Sequence, residues 1–239
     1  MPITATAISI VNDALIELGL PAVTVGAVGY DTNAQQAVAM LNSLGDELIR
    51  VHDWQFLEQT VQFIADGVSD AYPLPQDFGR TVNQTQWSIS DKRPMQGPDS
   101  PQVWSWNQYG IAAVGVYYRY RILNNKFAIF PIPSNGLKFV FYYISKNWVM
   151  DADDNTVMKD KVTKENDIPV FDRRLLVTGL KAKLWAQKGF DTTKIQDEFN
   201  YMLDVEKAQT QGARVIDLSG CGGHYYLNME NLPDTGYGL

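Results

Sequence analysis

The sequence has one cysteine, two histidines and no lysine or arginine before Arg50. A lone Cys221 closes no internal disulfide, so the fold needs no oxidising compartment. With only His52 and His224 available, and neither opening an HExxH pattern, metal and general-base chemistry has few candidates. The imbalance is local, since Asp13, Glu17, Asp31, Asp46 and Glu47 all fall in the stretch before the first cation, Arg50. Over the whole chain, 27 acidic side chains against 20 basic ones give −7, opposite to the basic field of a nucleic-acid binder. No positive n-region marks a signal peptide, and the most apolar run, Ile111 to Tyr118, is too short to span a bilayer. These absences predict a soluble protein without a membrane partner. What is present suits a folded domain: 239 residues, 45% hydrophobic and 20% charged, enough to build a core without staples.

Hydrophobic period then divides the chain. Ile8, Val11, Leu15 and Leu18 form one helical stripe, capped by Thr4 or Thr6 and stopped by Gly19 and Pro21. A second helix begins at Asp31 or Thr32, carries Ala34, Ala37, Val38, Leu41, Leu44, Leu48 and Val51 on one face, and ends near His52. Gly45 lies inside it, at a cost of about 1 kcal/mol, which suggests a close helix–helix approach.

From Trp54 the period shortens. Phe56 to Ile64 reads as a strand. Ala71 to Phe78 reads as a turn because of Pro73 and Pro75, and Gln86 to Gln108 reads as irregular. Val116–Leu123, Lys126–Phe130 and Leu137–Ser145 predict a three-stranded antiparallel meander, with Asn124-Asn125 in the first turn. Helix returns with Pro169 in its first turn and Leu176, Val177, Leu180 and Leu184 as its stripe, closed by Gly189. A last helix is capped by Asp191 or Thr192, presents Ile195, Phe199, Met202 and Leu203, and ends at Gly212.

The order predicts an α+β fold. Residues 1–53 and 168–212 supply the two halves of a four-helix bundle, 54–167 form a β-rich insert, and 213–239 form an extended C-terminal arm.

Chemical motifs are sparse. Cys221 and His224 offer two zinc ligands without a second pair. Asp151 to Asn155 resembles the start of a calcium loop but has Thr156 where glycine is needed and Val162 where glutamate is needed. Gly220 to Gly223 lacks the Lys-Ser/Thr of a phosphate loop, and no GxSxG elbow occurs. No metal, cofactor or catalytic set is therefore assigned. Trp87, Trp104, Trp106 and Tyr109 fit core, a protein contact or a stacking surface for sugars or bases. Arg119 and Arg121 fit a small basic face or a solvated one.

Several short motifs, in order, resemble the head-to-tail adaptors of short-tailed bacteriophages, the tail tubular protein A family. The N-terminal carriers are Ile10-Val11-Asn12-Asp13-Ala14-Leu15-Ile16-Glu17-Leu18-Gly19-Leu20-Pro21, then Asp31-Thr32-Asn33-Ala34, then Trp54-Gln55-Phe56. Leu74-Pro75-Gln76-Asp77-Phe78, Gly97 to Trp106, Tyr142 to Val149 and Arg174 to Lys181 continue the likeness, which runs from Ile8 to Gly212. Ala22 departs from the family's second proline.

The resemblance implies a non-enzymatic ring of about twelve copies between a portal protein and a tail nozzle protein, at the head–tail junction of the virion after assembly in the host cytoplasm. DNA would pass as transiting cargo. Portal or neighbour contacts are expected from Val215, Ile216, Leu218, Tyr225, Tyr226 and Leu227 in the arm. Nozzle-side contacts are expected from Trp104, Trp106, Tyr109, Arg119 and Arg121. The rival readings are a tail-associated cell-wall hydrolase, which needs two facing carboxylates, and a carbohydrate-binding tail module built on Trp104 and Trp106.

Overall fold

The computed structural model describes residues 5–24, 32–110 and 117–210. In chain order the elements are α1 (Ala7–Glu17), α2 (Thr32–Val51), β1 (Glu58–Ile64), β2 (Ala71–Pro73), β3 (Phe78–Thr81), β4 (Trp87–Ser88), β5 (Arg93–Pro94), α3 (Pro101–Tyr109), β6 (Arg119–Leu123), β7 (Lys126–Phe130), β8 (Lys138–Ser145), β9 (Val149–Met150), β10 (Met158–Lys159), β11 (Ile168–Pro169), α4 (Arg173–Gln187) and α5 (Thr193–Thr210). The fold is α+β with antiparallel sheets. No helix among the described residues is long and apolar enough to cross a membrane.

Helices from the two ends of the chain meet through α4, which packs on α1, α2 and α5. Its stripe, including Leu176 and Leu180, is fully buried against Val11, Leu41 and Leu44 among others. Gly179 is where α4 comes closest to its neighbours: a Cβ there would stand 2.7 Å from Leu44 and 2.8 Å from Phe199. The α2 stripe differs from expectation at its end, where Ile49 is buried and Val51 exposed. Gly45 does permit a close approach, but to an indole rather than a helix: an added Cβ would meet the Trp148 ring at 2.2 Å.

Helix ends are closed in three ways. Thr6 makes no side-chain cap; the Ala7 and Ile8 N–H groups donate to the Asp167 and Glu165 carbonyls, at 2.8 and 3.0 Å. Pro169 does not open α4, because it lies in β11 opposite Val149. Asp172 is the cap, accepting from the Arg174 and Leu175 N–H groups. Gly19 and Gly189 end α1 and α4 at positive φ, where a side chain is disfavoured. The expected capping residues Thr4 and Asp31, and the stop at Gly212, lie outside the described residues.

The predicted meander is corrected. β6 and β7 do form a hairpin, with Asn124 and Asn125 at φ +50° and +57°. β8, however, leaves β7 and pairs with β1 over seven residues, while β7 takes β2 as its other neighbour. The period of two cannot distinguish these pairings; the face-to-face packing of two sheets does. Phe127 of β7 stacks on Phe141 of β8 at 4.7 Å and 5°, and Phe63 of β1 meets both Phe127 and Phe139. Ala71–Pro73 is a short edge strand as well as a turn entry, and the stretch expected to be irregular contains β4, β5 and α3.

Candidate functional site

α3 is built by Ser100, whose Oγ accepts the Val103 N–H at 3.3 Å, and by Pro101 in the first turn. Its nine residues present two faces. Trp104 is buried, edge-on to Phe130 at 6.3 Å. Val103, Trp106 and Tyr109, each three residues apart, form an outward ridge; Trp106 is 62% and Tyr109 84% exposed. With Gln102, Ser105 and Gly110 they line a shallow cleft of about 690 Å³.

The two arginines expected beside this ridge have different settings. Arg119 Nη1 donates to both Asp99 carboxylate oxygens at 3.1 and 3.2 Å, and Nη2 donates to Gln96 Oε1 at 3.2 Å. Asn107 of α3 donates to the same carboxylate at 3.1 Å. Arg119 therefore clamps α3 onto β6 and is not a free cation. Arg121 is half-buried and makes no ion pair among the described residues. Of the five predicted nozzle-side residues, Trp106 and Tyr109 share one exposed surface, whereas Trp104 and Arg119 serve the support beneath. Val215, Ile216, Leu218, Tyr225, Tyr226 and Leu227 lie outside the described residues, as do Cys221 and His224.

The motifs that carried the resemblance are fasteners. Asn12 exchanges two hydrogen bonds with the Val23 backbone, at 3.0 and 2.8 Å, and so fixes the exit from α1. Asp77 accepts from Tyr143 Oη at 3.0 Å and Ser145 Oγ at 2.8 Å, tying the proline turn to β8. Burial, with the Asp77 hydrogen bond, pushes the Tyr143 phenol up to about 12, so it remains a donor at neutral pH. Trp148 Nε1 donates to the Asp160 carbonyl at 2.7 Å, and Trp54 Nε1 to the Leu48 carbonyl at 2.7 Å.

Arg80 was not singled out by sequence, since an isolated arginine in a short strand carries no signal. Its guanidinium donates to the Ile49 carbonyl at 2.7 Å, the His52 carbonyl at 2.6 Å and Asp53 Oδ1 at 2.9 Å. It closes the C-terminal end of α2, where free carbonyls favour a cation, and joins the helices to β3. Nearby, burial lowers the His52 imidazole from its ordinary value despite Asp53, so it is neutral at pH 7.

The early acids find their partners 136 to 164 residues away. Asp13 is bound by Arg173, Glu17 by Lys181 at 2.6 Å, and Glu47 by Lys183 at 2.6 Å. All three cations come from α4. Asp46 borders a cleft shared with Arg50, Arg80, Lys146 and Asp160; Asp31 is outside the described residues.

The calcium-like stretch is also internally neutralised. Asp151 accepts the Asp153 N–H and is paired with Lys159 and Lys164, which together hold its carboxyl below the usual range. Asp167, fully buried, would be raised by burial alone. Lys159 and the N–H groups of Lys164, Thr163 and Ala152 reverse that and lower it. Among the described residues no group of three or more His, Cys, Asp or Glu is placed to hold a metal ion.

The described residues thus offer internal clasps, an exposed aromatic ridge on α3 and several carboxylates held by cations. No curated protein matches the chain. The SU10 adaptor protein family matches residues 5–215, nearly all of it. In agreement with the phage head-to-tail adaptor likeness of its motifs, the chain belongs to the SU10 adaptor protein family.

Proposed function

We propose that this protein is the ring-forming adaptor between the portal and the tail nozzle of a short-tailed phage. The family match across residues 5–215 is the observation that carries this reading, because it covers the helices and the β region together. A closed ring is the expected outcome of a heterologous interface whose rotation returns to its start. In this reading the helical end meets the portal, the Trp106–Tyr109 ridge meets the nozzle, and the arm beyond Thr210 clasps the portal or a neighbouring copy. The role is structural, without catalysis or cofactor.

The charge of −7 per copy becomes about −84 over about twelve copies. Surplus acids facing the channel would give DNA little to adhere to. Asp13, Glu17 and Glu47 contribute less to such a wall than their sequence position suggested, because α4 cations already hold them. The glycan rival is weakened by geometry, since Trp104 is 6% exposed and forms no joint platform with Trp106.

The test is the mass of the particle with and without portal protein. A ring of defined stoichiometry that joins the portal supports the proposal. A persistent monomer in the presence of portal refutes it. Trp106→Ala should keep the fold and weaken nozzle binding; unchanged binding would remove the ridge from that contact.

A further inference from the structure

Among the described residues most strand edges are short, end in proline or are covered, and β1 is the long exception. β2 is three residues long and ends in Pro73; β5 is two residues and ends in Pro94; β11 is two residues and ends in Pro169. The outer edge of β6 is covered by the segment before α3: the Tyr120 N–H donates to the Gln96 carbonyl at 2.9 Å, and the Asp99 N–H to the Tyr120 carbonyl at 3.0 Å. β1 has none of these devices. It runs seven residues, Glu-Gln-Thr-Val-Gln-Phe-Ile, without proline, lysine or bulge, and pairs only with β8.

The register shows which backbone groups are free. The Tyr142 carbonyl accepts from Val82 at 3.0 Å, and the Lys138 carbonyl from Ile89 at 2.9 Å, so even-numbered residues of β8 turn toward β3 and β4. Odd-numbered Phe139, Phe141 and Tyr143 therefore turn toward β1, where they face Phe63, Val61 and Gln59. The N–H and C=O groups of Glu58, Thr60, Gln62 and Ile64 then point away from β8. Those of Thr60, Gln62 and Ile64 make no hydrogen bond to any described residue, whereas the Glu58 N–H donates back to the Gln55 carbonyl. Ile64 is also 61% exposed.

We propose that this edge of β1 receives an extended strand, His224–Met229, from the arm of a neighbouring copy. The inference rests on the ring reading above and names the surface that the arm uses. Residues 224–229 read His-Tyr-Tyr-Leu-Asn-Met, rich in strand formers, free of proline and close to β1 in length. Gly220, Gly222 and Gly223 precede them as a tether, and the 13 residues between Thr210 and His224 reach up to about 45 Å when extended. Each chain offers one open edge and one arm, so head-to-tail exchange around a ring satisfies every copy. Main-chain hydrogen bonds supply the affinity in such strand addition.

Hydrogen exchange on the full-length particle tests this. The Thr60, Gln62 and Ile64 amides should be protected in the particle and should exchange at least tenfold faster in a chain ending at Gly212. Protection in a monomeric fraction would mean that the chain's own arm is the occupant, which overturns exchange between copies. Gln62→Pro removes only an outward N–H, a place where edge strands accept proline. It should leave the melting curve near that of the parent and weaken association about tenfold or more, the effect of losing roughly 1.4 kcal/mol. If Gln62→Pro misfolds, Thr60→Lys with Gln62→Lys blocks the same edge by charge. In the arm, Tyr226→Pro should abolish protection and Thr235→Pro, beyond the segment, should preserve it; the reverse pattern overturns the assigned segment. Should arm deletion leave the particle intact, the clasp itself fails. Should deletion dissolve the particle while both edge variants assemble normally, only the β1 site fails.

Discussion

The helical and sheet regions of this protein are held by different means. The helical core is mostly aliphatic, from Val11 through Leu41 and Leu44 to Leu176 and Leu180, and it joins segments from opposite ends of the chain. Its rim carries three ion pairs from α4 to the early helices. The sheet core is aromatic, with Tyr120, Phe127, Phe139, Phe141 and Tyr143 buried between two sheets, and it is built from one contiguous stretch. Aliphatic stripes let helices approach closely, as at Gly179. Flat rings fill the wider gap between sheets through stacked contacts. Arg80, Trp54 and Trp148 are the joints between the two regions.

Five changes would break or sharpen that contrast. Leu180→Asp places an unpaired charge at a fully buried position on the hub helix and should unfold the helical region, a loss above about 4 kcal/mol. A native thermal melt for this variant would refute the role of α4 as hub. Phe141→Ala should cost about 3–5 kcal/mol and damage the sheet region first, visible as loss of near-ultraviolet aromatic dichroism before helical signal. Arg80→Met removes three charge-assisted bonds, two to carbonyls of the α2 end, and should cost about 2–3 kcal/mol. It should also split one thermal transition into two; a single unchanged transition would show that Arg80 is not a joint.

Acid should act on the loop that closes α1. The Asp167 carboxyl is lowered in the fold, so its stabilising share is present above about pH 4, the unfolded carboxylate range, and is lost as pH falls through the folded value. Asp167→Asn should cost about 1–2 kcal/mol at pH 7 and flatten the acid limb of the stability profile. An acid limb identical to the parent's would show that other groups control it. Lys183→Ala should cost under about 1 kcal/mol, because its pair with Glu47 is surface-exposed and salt-screened. A larger loss in urea titration would mean that the rim pairs, and not the stripes, fix α4.

Much of the local structure was legible. The α1, α2, α4 and α5 stripes, the Asn124-Asn125 turn and the stops at Gly19 and Gly189 all follow from period and backbone preference. α3 was hidden because its nine residues lie among prolines, and proline marks a helix start as readily as a break. Of the candidate surface, the Trp and Tyr residues were visible as a cluster, but not the division that buries Trp104 and exposes Trp106. That division depends on where Phe130 lies.

The absence of early cations shows the same boundary. By itself the sequence determined element types, the α+β class, the excess of acid and a string of adaptor-like motifs, because these depend on side chains near one another in the chain. Only the tertiary structure decided that Arg173, Lys181 and Lys183 answer Asp13, Glu17 and Glu47, that β8 pairs with β1 and not β7, and that β1 alone among the described strands keeps a long open edge. Such pairings are selected by burial across more than a hundred residues of separation or by the closure of two sheets on one core. Neither leaves a mark in a local window of sequence.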